Sequence, residues 1–320
     1  MTEHISYTTE ELAQILKVSK LTVYDLIKKG ELPSYRVGRQ MRVDARDLEA
    51  YIEAAKTVKK IKTVGPSVTT AAAPTSQPTR QGVPSTARQL IISGQDISLD
   101  ILANHLEKQS GSFRPLRSYV GSLNSLIAMY LGEADIVSTH LFDGDTGEYN
   151  VPYVKRILVG HSYTVVNLLS RWAGFYVKQG NPKNIQTWSD LTKANARIVN
   201  REKGSGVRIL LDEKLRIEGI SPDRIKGYDM EETNHVGVAT RIANDHADVG
   251  IGIEKTAQMV GIDFIPMIEE RYDLVILKTA ENQPFIRALL EVIRSDAFQQ
   301  EINALGGYNL SQTGKIIYET

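Results

Sequence analysis

The chain of 320 residues contains no cysteine, and this absence excludes several kinds of site. Without thiols there can be no disulfide framework, no zinc site built on cysteine and no cysteine nucleophile. Long apolar runs are also missing, since none approaches the ~18 to 20 residues that a membrane-spanning helix needs. The first residues, MTEHISYTTEEL, lack the apolar centre of a signal peptide. We therefore expect a soluble cytoplasmic protein.

Net charge is absent as well, because 38 acidic residues balance 38 basic ones. Any contact with nucleic acid must therefore come from a local basic patch. Residues 59–87 are rich in Pro, Thr, Ala and Ser and contain no aromatic residue. Such a composition predicts a flexible linker, because it buries too little apolar surface to fold. The linker separates a head, residues 1–58, from a body, residues 88–320.

The head begins with two predicted helices joined by a tight connection. Thr8 and Glu11 have the spacing of a capping box before the first helix, and Ser19 can cap a second helix that ends at Gly30. LPSYRVGRQMRVD then predicts two strands around a Gly-Arg turn, and ARDLEAYIEAAK predicts a closing helix. This order is typical of a helix-turn-helix domain with a wing.

Two sets of residues on these elements point to DNA. The candidate DNA contacts are Lys20, Thr22, Tyr24 and Lys28 on the second helix and Arg36, Arg39 and Arg42 on the wing. No acidic residue lies between Glu31 and Asp44, so the wing arginines suit phosphates or a narrow minor groove. The string TTEELAQILKVSKLTVYDLIKKGELPSYRVGRQMRVDARDLEAYI resembles the excisionase/MerR-like winged helix-turn-helix family. The resemblance implies that the second helix enters the major groove and the wing touches the backbone.

The body alternates short apolar runs with amphipathic helical segments, which predicts an α/β fold with mostly parallel strands. Polar residues cluster where the predicted strands end, and ligands of open α/β sheets bind there. Several of these turns also begin helices, whose N–H groups and dipole favour an anion. The candidate ligand-binding residues are Ser93, Asp96, Gly121, Ser122, Thr139, Gly204, Ser205, Gly206 and Val207.

The body resembles the cytoplasmic periplasmic-binding-protein-like domains of the molybdate-binding class. The strings that carry the resemblance include SGQDISLDILANHL, GEADIVSTHLFDGDTGEYN, VNREKGSGVRILLDEKL and NHVGVATRIANDHADVGIGIE. It implies a type II two-lobed clamshell, with lobe one at about 88–175 and 272–320 and lobe two at about 176–271. AGFYVKQGNP and ERYDLVILK are the expected crossing strands.

The resemblances imply a one-component transcriptional regulator that binds double-stranded DNA and senses molybdate or tungstate. Because one winged head offers few contacts, we expect a homodimer on paired half-sites. The Gly204–Gly206 turn would donate N–H groups, and Ser93 and Ser122 would donate hydroxyls, to an ion that only accepts hydrogen bonds. Asp96 would repel a dianion unless Arg208 offset it, so phosphate and small organic solutes stay open as ligands.

Signatures of catalysis are missing. The sequence GSGVR lacks the ending of a P-loop, and no metal-ligand spacing occurs, so we expect no catalytic residue, metal or cofactor. The scattered His140, His161, His235 and His246 are interpreted as helix-end or surface residues. Two alternatives stay open: a molybdenum-pathway enzyme or cofactor-handling protein with a DNA-targeting head, and a DNA-binding scaffold whose body only dimerises.

Overall fold

The computed structural model describes residues 6–16, 23, 26–27, 32–37, 40–57, 87–193 and 195–320. It divides into two compact units, Met1–Pro78 and Thr79–Thr320, and their boundary falls within the predicted linker. Residues 59–86 of that linker lie outside the described residues. Within the described ranges, no helix is long and apolar enough to cross a membrane.

The described part of the first unit contains three antiparallel strands and two helices. The strands β1 (Ser6–Thr8), β2 (Tyr35–Val37) and β3 (Gln40–Asp44) have the order β1-β3-β2, beside α1 (Thr9–Leu16) and α2 (Ala45–Thr57). The predicted capping box is present, because Thr8 N donates to Glu11 Oε2 at 2.8 Å and Glu11 N donates to Thr8 Oγ1 at 3.3 Å. Leu12, Val23 and Val43 are buried together in the core, and β2 and β3 form the predicted wing.

In the described part of the second unit, nine strands form one sheet with the order β5-β4-β6-β11-β7-β10-β8-β9, and β12 pairs with β7. The strands are β4 (Arg88–Ser93), β5 (Phe113–Ser118), β6 (Ile136–Thr139), β7 (Tyr163–Val177), β8 (Ile198–Arg201), β9 (Glu231–Glu232), β10 (Val249–Ile253), β11 (Asp263–Leu277) and β12 (Ile316–Glu319). The helices are α3 (Ser98–Ser110), α4 (Ser122–Tyr130), α5 (Val151–Ile157), α6 (Gly206–Ile217), α7 (His235–Ala243), α8 (Glu254–Val260), α9 (Gln283–Arg294) and α10 (Asp296–Leu305).

Two long strands run through both lobes of this unit. β7 and β11 each have 15 residues and pair antiparallel along their length, from Tyr163 opposite Leu277 to Val177 opposite Asp263. Fifteen residues reach roughly 50 Å at about 3.3 Å per residue, which lets one strand serve two lobes. Beside them, β6 and β12 pair on the side of lobe one, and β10 pairs on the side of lobe two. The α/β fold with two lobes agrees with the prediction from the sequence.

The crossing strands begin earlier than expected. The predicted segment AGFYVKQGNP contains only the last five residues of β7, which ends at Val177 before a turn. Ala173 and Phe175, expected in lobe one, are buried with Ile198 and Val249 in the core of lobe two. The change of lobe along β7 therefore comes before Ala173, because the side chains from that residue onward pack against the sheet of lobe two.

Candidate functional site

A cavity of about 250 Å³ lies between the two lobes of the body, where several helices begin. Arg171, at the crossing of the lobes, contributes to its wall. Lobe one contributes Gly94, Gln95, Asp96, Ile97, Val120, Gly121, Ser122, Ser138, His140, Tyr272, Leu305 and Tyr308. Lobe two contributes Arg201, Ser205, Gly206, Asn234, His235, Val236, Ile253, Lys255, Thr256 and Met259. The starts of α4, α6 and α7 meet here from opposite lobes.

Five of the nine residues predicted to bind a ligand lie in the wall of this cavity. They are Asp96, Gly121, Ser122, Ser205 and Gly206. The sequence placed them correctly at strand ends and helix starts, and folding brings these turns together from positions far apart in the chain.

The structure places the other four, Ser93, Thr139, Gly204 and Val207, outside the wall. Ser93 Oγ lies 2.9 Å from Ser125 Oγ, and Thr139 Oγ1 donates to Asn150 Oδ1 at 3.2 Å. Val207 packs into the core of lobe two. The neighbouring Ser138, which was not predicted, lines the cavity in place of Thr139, because successive side chains of a strand point to opposite faces.

The lobes touch at the edge of the cavity through residues that have no room for a side chain. Leu123 N donates to Gly204 O at 3.1 Å, and a Cβ on Gly121 would lie 2.9 Å from that same oxygen. A Cβ on Gly206 would lie 2.2 Å from the ring of His140. The described arrangement is therefore a clamshell whose lobes are in contact.

Ser205 offers a free hydroxyl at the start of α6. It is the N-cap residue, yet its side chain makes no capping bond. Its Oγ is buried and has no hydrogen-bond partner among the described residues. A buried polar atom without a partner costs about 1–3 kcal/mol, and the first N–H groups of a helix lack partners within it. This end of the cavity therefore suits a group that accepts hydrogen bonds.

Arg201 adds a guanidinium that the sequence analysis did not select. Its Nε and Nη2 donate to the Glu202 carboxylate at 2.7 and 2.8 Å, and Nη2 also donates to Gln95 Oε1 of lobe one at 2.5 Å. Nη2 donates to Thr233 O at 3.1 Å as well, and Arg201 lines the cavity. A basic residue at the carboxyl end of a strand, just before a Gly-Ser-Gly turn, was the signal that could have identified it.

Asp96 does not present a free charge to the cavity. Its carboxylate accepts from Arg171 Nη1, from Ser98 N at 2.8 Å and from Tyr308 Oη at 3.2 Å. Arg171 also donates from Nε to Glu270 Oε1 at 2.6 Å, and the side chains of all three ionisable residues are almost fully buried. Burial raises the pKa of Glu270 above its usual value, and Arg171 opposes that shift. The guanidinium thus pairs with Asp96, which weakens the expected repulsion of an anion.

Arg208, expected to offset Asp96, has other partners. It donates to the Asp212 carboxylate at 3.2 Å and to Glu231 Oε1 at 2.9 Å, and it is not part of the cavity wall. The positive charge that the sequence analysis expected beside Asp96 comes instead from Arg171 on β7.

Two of the histidines interpreted as helix-end or surface residues line the cavity, and one of them, His235, does begin a helix, α7. His140 Nδ1 lies 3.0 Å from Ser122 Oγ, whereas Nδ1 of His235 is buried and has no partner among the described residues. Burial lowers the pKa of both rings well below 6.5, and the positive charges of Arg171 and Arg201 lower it further. Both imidazoles are therefore neutral near pH 7.

The outer part of the cavity is apolar and open. Ile97, Val236 and Met259 line it and are 52%, 48% and 69% exposed. The cavity thus has a donor-rich inner end and an apolar mouth. Among the described residues, no group of three or more acidic or histidine side chains could hold a metal ion.

Most of the predicted DNA contacts cannot be placed. Lys20, Thr22, Tyr24, Lys28 and Arg39 lie outside the described residues. Arg36 lies on β2, opposite Met41 of β3. Arg42 lies on β3, and its Nη1 donates to Ser6 O at 3.4 Å and to Ser6 Oγ at 3.3 Å. Arg42 is therefore partly engaged within the head.

Comparisons with known proteins describe both units. Residues 103–294 match the family described as PBP superfamily domain, and residues 6–56 match a helix-turn-helix domain. The chain is 50% identical over 320 residues to uncharacterized protein YvgK of Bacillus subtilis (strain 168), with 100% of each chain covered.

Solved structures share the fold of the body at low sequence identity. A Listeria monocytogenes protein named as an L-cystine ABC transporter has a TM-score of 0.53 at 13% identity, covering 71% of this chain and 100% of its own. A Clostridium perfringens protein named as a phosphate ABC transporter substrate-binding protein, with bound phosphate, has a TM-score of 0.51 at 13% identity, covering 69% and 99%. The two names refer to different ligands, so the fold alone does not identify the ligand of this chain.

Proposed function

We propose that this chain, which belongs to the PBP superfamily and carries an N-terminal helix-turn-helix domain, is a one-component transcriptional regulator that senses a small ligand. The helix-turn-helix domain supplies DNA binding, and the two-lobed body supplies the ligand site. Both are binding domains rather than catalytic ones. A regulator of this kind acts where the DNA is, and a cytoplasmic location is part of the proposal.

The proposed ligand is a tetrahedral oxyanion, molybdate or tungstate. The observation that carries this proposal is the unpartnered Ser205 Oγ at the start of α6. Arg201 lines the same cavity, so a hydroxyl, a guanidinium and helix N–H groups can all donate to one ligand there. A fully ionised oxyanion accepts hydrogen bonds and donates none, and charge-assisted bonds of this kind are the strong ones. The ion pair with Arg171 weakens the repulsion that Asp96 would exert on such an ion.

A small organic anion is the second candidate. The cavity volume is about 250 Å³, whereas one water molecule takes up about 30 Å³ in the liquid. The cavity therefore has room for a ligand larger than one tetrahedral ion. The apolar side chains of Ile97, Val236 and Met259 at its mouth would suit the carbon part of such a ligand. Phosphate is itself a tetrahedral oxyanion, and it is titrated together with the other oxyanions.

We propose that ligand binding favours the closed clamshell over an open one. Contacts between the lobes support this mechanism, namely Leu123 with Gly204 and Gln95 with Arg201. A ligand shifts such an equilibrium by its difference in affinity for the two states. Closure would then change how two heads of a homodimer are presented to paired half-sites, since one head offers few contacts.

Calorimetric titration of the full chain tests the ligand assignment. We expect saturable binding of molybdate and tungstate, with sulfate and phosphate binding more weakly. A ligand at about 100 times its dissociation constant should also add about 2.7 kcal/mol to the free energy of unfolding. Tight binding of a carboxylate panel with no oxyanion binding would replace the first candidate by the second. Binding of neither class would contradict the sensing function.

A further inference from the structure

His235 begins α7 and lies in the cavity wall of lobe two, opposite the residues that lobe one contributes. Its Nδ1 is buried without a hydrogen-bond partner in the described part of the chain, and among the cavity-lining residues only Ser205 Oγ shares that condition. We propose that anion binding is coupled to the uptake of one proton by His235, so that the cleft selects a dianion over a monoanion of the same shape. This inference rests on the proposed function.

The groups around His235 explain why its ring is neutral. Burial is the main cause of its lowered pKa, followed by the positive charges of Arg201 and Arg171 and by His140. Each guanidinium has carboxylate partners, Glu202 for Arg201, and Asp96 with Glu270 for Arg171.

The remaining ionisable groups in the wall add no negative charge. Lys255 Nζ donates to Leu305 O, and burial raises the pKa of Tyr272 to about 12. Burial also raises the pKa of Tyr308 far above its usual value. Within the described part of the chain, Nδ1 of this neutral imidazole thus has no hydrogen-bond partner that could stabilise a charged ring.

A bound dianion changes this balance. It places two negative charges among the donors that line the same cavity as His235, and an opposite charge within a few ångströms raises the pKa of an imidazole. A proton taken from bulk water then resides on Nδ1, and the imidazolium donates a charge-assisted hydrogen bond to the ligand. No bond is broken, and the complex gains at most one proton per site. A monoanion supplies half the charge and therefore less of this stabilisation.

The direction of the pH dependence follows from linkage. Because the complex binds more protons than the free protein, affinity for a dianion must rise as pH falls. The rise is at most tenfold per pH unit, and it spans the range from the pKa of His235 in the complex down to its pKa in the free protein. His140 is less suited to this role, because its Nδ1 already lies 3.0 Å from Ser122 Oγ and its ring packs on Gly206 and Tyr272.

The test is calorimetric titration of the full chain with tungstate near neutral pH, in two buffers whose ionisation enthalpies differ widely. The difference in apparent enthalpy gives the number of protons taken up, and we expect it to approach one. His235→Asn keeps a polar atom near the position of Nδ1 but cannot be charged. It should bring the uptake close to zero and abolish the pH dependence. His161→Asn, an exposed histidine outside the cavity, is the matched control and should behave like wild type.

Perrhenate supplies the ligand-side comparison, since it is tetrahedral like tungstate but carries one charge. Wild type should prefer tungstate by at least tenfold, and His235→Asn should reduce that preference.

Tungstate binding without proton uptake, or equal uptake in wild type and His235→Asn, would overturn this inference while leaving the proposed function intact. If His235→Asn fails to fold, an NMR titration of the His235 ring in wild type decides the matter. If tungstate does not raise the pKa of His235 in that titration, the inference is wrong. Absence of tungstate binding would overturn the oxyanion proposal and this inference together.

Discussion

At the scale of single residues, buried polar atoms are the clearest guide to function in this chain. Ser205 and Ser93 were both predicted as ligand residues, yet only Ser205 lines the cavity with an unpartnered hydroxyl. Ser93 Oγ is engaged by Ser125 behind the wall. Hydrogen-bond partners thus separate two serines that look equivalent in the sequence.

Replacing Ser205 by alanine should weaken ligand binding while leaving the fold intact. The change removes one hydroxyl and keeps the N–H groups at the start of α6. A hydrogen bond to a charged group is worth about 1.5–3 kcal/mol, so affinity should fall roughly ten- to a hundredfold. Calorimetry measures this, with Ser93→Ala as the matched control that keeps wild-type affinity. Equal losses in the two variants would contradict the assignment of Ser205 to the site.

Replacing Asp96 by asparagine should cost stability rather than affinity. The change leaves the buried Arg171 with one carboxylate partner fewer, and breaking a buried ion pair costs about 3–5 kcal/mol. Because the bond from Arg171 to Glu270 remains, the loss in the free energy of unfolding should lie near about 3 kcal/mol. Affinity for a dianion should be equal or higher, because the substitution removes one negative charge from the cavity wall. Urea denaturation of the full chain measures the stability.

Asp100→Asn is the control for this change. Asp100 pairs with Arg117 at 2.8 Å, but its side chain is 38% exposed, so we expect a loss below about 1 kcal/mol. A similar loss for both variants would show that burial does not set the strength of the Asp96 pair.

At the scale of elements, the turns before α4 and α6 control how closely the lobes approach. Gly206 has an ordinary helical conformation, so its small size matters for the space it leaves to His140 rather than for backbone freedom. Gly206→Ala should therefore hold the lobes apart. Overpacking of this kind costs about 1–3 kcal/mol, which lowers ligand affinity roughly 5- to 150-fold. Calorimetry gives the affinity, and small-angle scattering should show a larger radius of gyration with ligand than wild type has.

Gly237→Ala serves as the control within lobe two. The atoms nearest to its added Cβ belong to the side chain of Glu232, which can move aside, so the ligand affinity should stay at the wild-type value. A wild-type affinity for Gly206→Ala as well would mean that closure does not bring His140 against α6.

At the scale of the whole molecule, the proposed function requires that ligand and DNA influence each other. We expect saturating tungstate to change the affinity for operator DNA by about 5- to 150-fold, the usual range of allosteric coupling. Fluorescence anisotropy of the full chain measures it, and DNA must change tungstate affinity by the same factor. DNA affinity that is independent of ligand would favour the alternative of a DNA-binding scaffold.

DNA binding itself is tested through the wing. Arg39→Ala should weaken binding to all sequences and lower the slope of log affinity against log salt by roughly one unit. Arg42→Ala is the informative comparison, because Arg42 is partly engaged by Ser6. We expect its effect on the salt slope to be smaller. An unchanged slope for Arg39→Ala would remove that residue from the interface.

Features that depend on neighbouring residues could be predicted from the sequence. The capping box of Thr8 and Glu11, the helix that starts at Gly206 and the alternation of strands and helices all arise from residues a few positions apart. Local backbone geometry and periodicity determine such features, so the fold class and five residues of the cavity wall followed from them. The length of β7 did not, because its limits depend on the strands that pair with it.

Only the tertiary structure decided the chemistry of the cavity. Asp96 meets Arg171, 75 residues away, and Gln95 meets Arg201, 106 residues away. Those pairs determine that Asp96 carries no free charge and that Arg201 belongs to the site. The packing of α6 against lobe one likewise places His140 on Gly206. Spacing along the chain carries no information on such encounters, because they depend on strand register and on the approach of two lobes, which arise only when the whole body folds.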